Sequence, residues 1–498
     1  MLAPQGKRGK AKGMSEDVAE DLAVAAAEAP TPPAERPRFR LVPAALARPM
    51  SKFASSPLTR HLATGAFWSL FGSGLSRVLA LVGAILVARQ LGASPFGEFN
   101  LVQTTAGMLM ALGGFGLNTT ATKFIAGKYR GDPEGAGRIV ALSGLTAACV
   151  GGASGVLLFA AAPWVAREVL AAPQLTAALR VGSLLLLFGP VNGTQLGILM
   201  GLERFRLIAL VSAGGAALSV PLLVVGAREG GMFGCVVALV LSTALTTIFC
   251  RGAVRRATRE AGIRPGYRDA LREWRVLFAY SMPTTLANLL LAPVTWLTCA
   301  IVANQAGGVR ELGLYAAANQ WRNAIVLVAT SAGAVLFPLF SHLHDSGRSR
   351  SFSRAFWTSL LVTAAVAAAA AGVLSATAPA VMRVYGREFH GAAGVMALLV
   401  VAGALSAPLS VVGHALASAG RMWLMLGLNV AWAAVLLGTS YLLRSRGAVG
   451  LSVANVAAYG VHLVAALACA VVVVRSVERG GAAAVSAVSP EVMEPPGA

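Results

Sequence analysis

The sequence predicts an all-α polytopic membrane protein, with about 12 transmembrane helices in two six-helix pseudo-symmetric halves around a central cavity. Three observations carry that prediction. Of the 498 residues, 56% are hydrophobic and only 12% are charged, whereas a soluble chain of this length carries about a quarter charged residues. Between positions 61 and 475 the apolar residues fall into twelve stretches, each close to the roughly 20 residues that cross about 30 Å of hydrocarbon as a helix. The last six stretches repeat the pattern of the first six. Helices satisfy their own backbone hydrogen bonds in lipid, and the sequence lacks the short alternating strands of a membrane barrel.

Residues 1–58 are expected to form a disordered cytoplasmic tail. Lys7, Arg8, Lys10 and Lys12 open it, and Ala29-Pro30-Thr31-Pro32-Pro33 cannot hold a helix. The N-terminal half covers 59–250, with spans at 64–88, 97–122, 139–162, 178–202, 207–227 and 231–250. A linker at 251–275 carries eight Arg and joins the halves. The C-terminal half covers 276–475, with spans at 276–302, 312–340, 355–378, 391–418, 422–443 and 448–474. Residues 476–498 form a second expected tail. Pro190 and Pro283 fall inside spans and are expected to bend them.

The net charge of +20 reads as membrane topology and not as nucleic-acid binding, because Lys and Arg collect in cytoplasmic loops. Of the 41 basic residues, thirty fall in the tails and the loops on the same side as the tails, including all six Lys. Nine fall on the other side, and Arg77 and Arg322 lie inside spans. Both termini are therefore expected on the cytoplasmic side. The five Cys fall in or at the end of spans without paired spacing, so no disulfide is expected. His342 and His344 share a loop and read as solvated side chains, not as a metal site.

The repeat has a nearly constant offset. Val87-Ala88-Arg89-Gln90-Leu91-Gly92 matches Val302-Ala303-Asn304-Gln305-Ala306-Gly307, and Gly97-Glu98-Phe99 matches Gly313-Leu314-Tyr315. Pro163 matches Pro379, and Arg204-Phe205 matches Arg421-Met422. Six spans is an even number, so both halves insert with the same orientation. An axis along the membrane normal should relate them, with a substrate site between them, the body plan of a transporter.

Three segments carry a family resemblance. Gly65-Ala66-Phe67-Trp68 opens the first span. Ala88-Arg89-Gln90-Leu91-Gly92-Ala93-Ser94-Pro95-Phe96-Gly97-Glu98-Phe99 closes it and enters the second. Gly201-Leu202-Glu203-Arg204-Phe205 follows the fourth. On these residues the chain resembles the polysaccharide transporter branch of the multidrug/oligosaccharidyl-lipid/polysaccharide exporter superfamily, over about residues 60–475. That branch includes O-antigen and exopolysaccharide repeat-unit flippases. The lipid II flippases of the superfamily typically carry more spans, which speaks against a peptidoglycan substrate. The resemblance implies an oligosaccharide on undecaprenyl pyrophosphate as cargo, turned across the bacterial inner membrane by alternating access for O-antigen, capsule or exopolysaccharide. The implied partners are this lipid-linked oligosaccharide, membrane lipids, and polysaccharide polymerase and chain-length proteins. No cofactor is implied.

Such a cargo joins sugars and phosphates to a lipid tail, so a wet, polar, cationic cavity is expected. Polar residues recur at steps of three and four, which is one helix face. Asn100, Gln103, Thr104, Gly107 and Asn118 mark the second span. Ser281, Thr285, Asn288 and Thr295 mark the seventh, and Asn319, Arg322 and Asn323 the eighth. Ser69, Ser73 and Arg77 mark the first. Small residues on such faces also serve helix packing, but Asn100, Gln103, Asn118, Asn288, Asn319 and Asn323 are candidates to line the cavity. Arg77 and Arg322 stand out because ionisable residues inside spans usually face a cavity. Neither has an obvious carboxylate partner, and Arg suits a pyrophosphate through paired hydrogen bonds. An ion-coupled multidrug exporter of the same superfamily is the alternative, but it would be expected to bury Asp or Glu for its ion and cationic drugs. An enzyme is not expected, because no loop holds an Asp-rich metal motif, a phosphate-binding glycine loop or a Ser/His/Asp constellation.

Overall fold

A computed structural model describes residues 57–113, 116–266, 290–345 and 349–487. The expected tail over 1–56, Pro283 and the face formed by Ser281, Thr285 and Asn288 lie outside these residues. All regular structure among the described residues is helical. In chain order the helices are α1 (Pro57–Leu91), α2 (Ala93–Gly113), α3 (Leu117–Lys128), α4 (Pro133–Trp164), α5 (Thr176–Gly182), α6 (Leu184–Gly201) and α7 (Phe205–Glu260). Further along the chain come α8 (Leu291–Ala303), α9 (Gly308–Asp345), α10 (Ser349–Val384), α11 (Ala393–Ser418), α12 (Met422–Leu442) and α13 (Gly447–Ala487). Eight described segments are long and apolar enough to cross a membrane.

Local chemistry explains the places where helices and expected spans differ. The fifth and sixth spans fall within α7, which reverses at Gly231 (φ 55, ψ −139). The backbones of Gly226 and Gly234 then touch across the hairpin, where neither has a side chain to keep them apart. The second span is not one helix. It divides into α2 and α3, and Gly116 precedes α3 in the left-handed region (φ 55). Gly113, Gly114 and Gly116 cluster at the division, and glycine weakens a helix interior by about 1 kcal/mol relative to alanine. α13 continues to Ala487, past the end of the expected twelfth span.

Special backbone positions recur at nearly the offset seen in the sequence. Gly92 and Gly307 both have left-handed φ (79° and 70°), as do Glu203 and Gly420 (58° and 71°). Gly231 has its counterpart in Gly447, with φ 55 at both and ψ −139 and −130. Arg204 and Arg421 enter α7 and α12 with nearly the same dihedrals. Five helices, α3 to α7, pack mainly among themselves, and α8 to α13 do the same. α2 joins the groups by packing on α8 and α9.

The buried core shows how the groups meet. One large cluster draws on both groups at the end of the bundle that carries Gly92, Gly307 and Gly386, here called the far end. It includes Val87, Phe96, Leu175, Leu312, Tyr385 and Phe389. At the near end the core divides. One cluster, around Ile125, Ile139, Leu199 and Val254, belongs to the first group. Another, around Phe340, Phe352, Phe356 and Val473, belongs to the second.

Candidate functional site

α2 and α9 cross at the far end through Gly97 and Gly313. A methyl group on Gly97 would overlap the Val309 carbonyl oxygen and lie 2.9 Å from Gly313 N. A methyl group on Gly313 would overlap the Ala93 carbonyl oxygen and lie 3.1 Å from Gly97 N. Side chains beside the crossing reinforce it. Glu388 Oε2 accepts a hydrogen bond of 2.8 Å from Ala93 N, an orphan donor in the first turn of α2. Phe389 packs edge-on against Phe96 at 6.2 Å. Asn304 Nδ2 donates to the Val169 carbonyl at 2.7 Å. Deeper in the bundle, Trp296 Nε1 donates to Thr105 Oγ1 at 2.9 Å.

Beneath this closure lies a cavity of about 260 Å³ between α1, α2, α7 and α9. Ala80, Ala84 and Val87 line it from α1, Asn100 and Gln103 from α2, Ser219 and Leu223 from α7, and Gln320 from α9. Arg77 precedes Ala80 by three residues and Ala84 by seven, which places it on the same face of α1. Its side chain is exposed. Among the described residues, the polar lining thus consists of amides and a hydroxyl, with a guanidinium on the adjoining turn and no carboxylate.

The other sequence-derived candidates do not all converge there. Asn319 and Arg322 lie on the side of α9 that faces its own helix group. Arg322 Nη1 donates to Asn319 Oδ1 at 3.0 Å, and Nη2 donates to the Tyr459 hydroxyl at 2.8 Å. The guanidinium also sits 5.1 Å from the centre of the Tyr459 ring, a cation–π distance. Its Nε is buried without a partner among the described residues. Tyr315 and Asn455 extend this network, with Asn455 Nδ2 donating to the Tyr315 hydroxyl at 3.4 Å. Asn323 is exposed on α9. Asn118 is exposed on α3, beyond the helix break, where its backbone packs on Gly197 of α6. It therefore leaves the face that carries Asn100 and Gln103. Asn288 lies outside the described residues.

Sequence periodicity missed Gln320 because it sits one position off the polar face of Asn319, Arg322 and Asn323. It missed Tyr459 because a lone tyrosine in an apolar run carries no spacing signal.

A family comparison covers most of this arrangement. The family described as "Polysaccharide biosynthesis protein" matches residues 62–344. The chain belongs to the polysaccharide biosynthesis protein family. Relatives with which it aligns at length include the "EPS I polysaccharide export inner membrane protein EpsE" of Ralstonia nicotianae, 25% identical over 82% of this chain and 94% of the relative. The protein of that name from Ralstonia solanacearum is 24% identical over the same shares. Among solved structures, the chain is similar to an inward-facing multidrug resistance MATE family transporter of the MOP superfamily. The TM-score is 0.69 at 15% identity, covering 82% of this chain and 99% of that one. An outward-facing MATE family structure gives 0.59 at 16% identity, covering 86% and 98%. This member of the polysaccharide biosynthesis protein family thus has the fold of a MOP superfamily transporter.

Proposed function

We propose that the protein is a flippase that moves undecaprenyl-pyrophosphate-linked oligosaccharide repeat units across the inner membrane by alternating access, for surface polysaccharide synthesis. One observation carries the reading. The cavity where α1, α2 and α7 meet α9 offers amides and an arginine face without a carboxylate. That chemistry suits sugar hydroxyls and a pyrophosphate. It does not suit a cationic drug, which calls for an acidic site.

Arg77 would bind the pyrophosphate, with Asn100 and Gln103 hydrogen-bonding beside it. Arg322, Asn319 and Asn323 on α9, with Asn118 and Asn288, would contact the sugars as the near end opens. The core joined at the far end and divided at the near end is compatible with a bundle accessible from the near side. The Arg-rich loops at that end favour the cytoplasm as that side. The relatives' description as export proteins of the inner membrane supports a transporter and not an enzyme.

The test is a deletion strain, scored for surface polysaccharide and for lipid-linked repeat units in inverted inner-membrane vesicles. Loss of polymer with repeat units on the cytoplasmic leaflet is expected. The MATE fold favours a second reading, ion-coupled drug export. Normal polysaccharide together with new drug sensitivity would establish that reading instead.

A further inference from the structure

A second cleft is larger than the junction cavity. It is a cavity of about 980 Å³ at the near end of the first helix group, between α4, α6 and the last turns of α7. Arg251, Arg255 and Arg259 recur every four residues on one face of α7, and Arg264 follows on the loop that leaves the helix. Gly137 of α4 permits that loop to pack: a methyl group there would overlap the Arg264 carbonyl oxygen, and Gly266 N donates to the Gly137 carbonyl at 3.3 Å. Among the described residues, no acidic residue lines the cleft. Glu260, the neighbouring carboxylate, is already engaged by Arg204 at 3.0 Å and Arg256 at 2.9 Å. Four guanidinium groups therefore face one cleft without an ion-pair partner among the described residues.

The floor of the cleft adds a second observation. Thr194 and Gln195 line it from α6 and are 2% and 8% exposed. Thr194 Oγ1 and Gln195 Oε1 have no hydrogen-bond partner among the described residues. Buried polar atoms are normally paired, so an orphaned pair beneath four cations points to a ligand with its own polar groups. Apolar surface continues from the same cleft. Leu145 of α4 is 48% exposed, and Ile248 and Phe249, just before Arg251, are 62% and 61% exposed. The cations thus stand at the edge of a lipid-facing surface.

We propose that this cleft binds the phosphate of an anionic phospholipid headgroup, at a site separate from the junction cavity. The arginines would take the phosphate through charge-assisted hydrogen bonds, with Gln195 and Thr194 meeting the headgroup's hydroxyls. The acyl chains would run along Leu145 and the exposed face of α7.

The test uses the full-length protein and reads lipid binding, so its outcome does not depend on the transported cargo. Protein in mild detergent is titrated with phosphatidylglycerol or phosphatidylcholine, and bound lipids are counted by native mass spectrometry. Wild type should retain phosphatidylglycerol preferentially, and R255Q/R259Q should weaken that retention by about tenfold or more, since two charge-assisted contacts are lost. R264Q, on the loop, carries the same expectation should the helical double variant fail to fold. Equal retention of the two lipids by wild type, or undiminished retention by the folded variants, would overturn the proposal. So would inorganic pyrophosphate binding as tightly as the lipid and displacing it, which would mark a site for soluble phosphates.

Discussion

Gly97 and Gly313, which occupy matched positions in the sequence repeat, touch each other in the folded protein. Each is the residue that the other's methyl group would strike, and Ala93 and Val309, four residues before each, supply the opposing carbonyls. The contact is self-complementary, as at a two-fold interface between identical subunits. A pseudo-two-fold axis relating α2 to α9 must pass close to this point.

Gly97→Ala and Gly313→Ala should therefore behave alike. Each inserts a methyl group into a backbone crossing with no space for it. Overpacking of this kind destabilises by about 1–3 kcal/mol. Both variants should separate the far ends of α2 and α9 and reduce export. A disulfide introduced by Ala93→Cys and Val309→Cys reports the separation, forming readily in wild type and poorly in either glycine variant.

Glu388 ties the second helix group to the first turn of α2. Glu388→Ala removes the acceptor for Ala93 N and should destabilise by about 0.5–2 kcal/mol, the range for losing a helix cap. Glu388→Gln keeps an acceptor oxygen and should retain most of the stability. Thermal unfolding in detergent separates the two, and equal losses would show that the carboxylate's charge matters more than the hydrogen bond.

Arg77 and Arg322 should fail differently. Arg77 is exposed on the cavity face of α1. If Arg77 binds the pyrophosphate as proposed, both Arg77→Ala and Arg77→Lys should lower transport by roughly tenfold or more through the loss of a paired hydrogen bond, with protein level maintained. Arg322 is held by Asn319 and Tyr459. Tyr459→Phe should lower stability by about 1 kcal/mol, because it leaves a half-buried guanidinium short of an acceptor. Normal polysaccharide export by both Arg77 variants would remove Arg77 from the binding site.

Gly231 and Gly447 share a backbone conformation that favours glycine. Alanine at either position should destabilise by about 1–3 kcal/mol through backbone strain. Gly230→Ala, one residue from the α7 reversal and outside the left-handed region, should be milder. Thermal unfolding of the three variants checks the ranking.

Much of the fold was legible because lipid leaves few choices. Backbone groups must pair within each segment, so hydropathy and length translate directly into helices. The break between α2 and α3 was less legible, since hydropathy does not register a change of helix direction. That break explains why Asn118, spaced to share a face with Asn100 and Gln103, stands apart from them.

The sequence by itself determined an all-helical membrane chain with an internal repeat and with basic loops gathered at one end. These properties follow from local composition and spacing. Only the tertiary structure decided which polar residues share a cavity. It put Gln320 with Asn100 and Gln103, gave Arg322 to Tyr459, and gathered Arg251, Arg255, Arg259 and Arg264 over the unpartnered Thr194 and Gln195. The physical reason is that helical periodicity fixes which residues share a face. Which faces meet depends on close approach between distant segments, and here glycines at Gly97, Gly137 and Gly313 permit that approach.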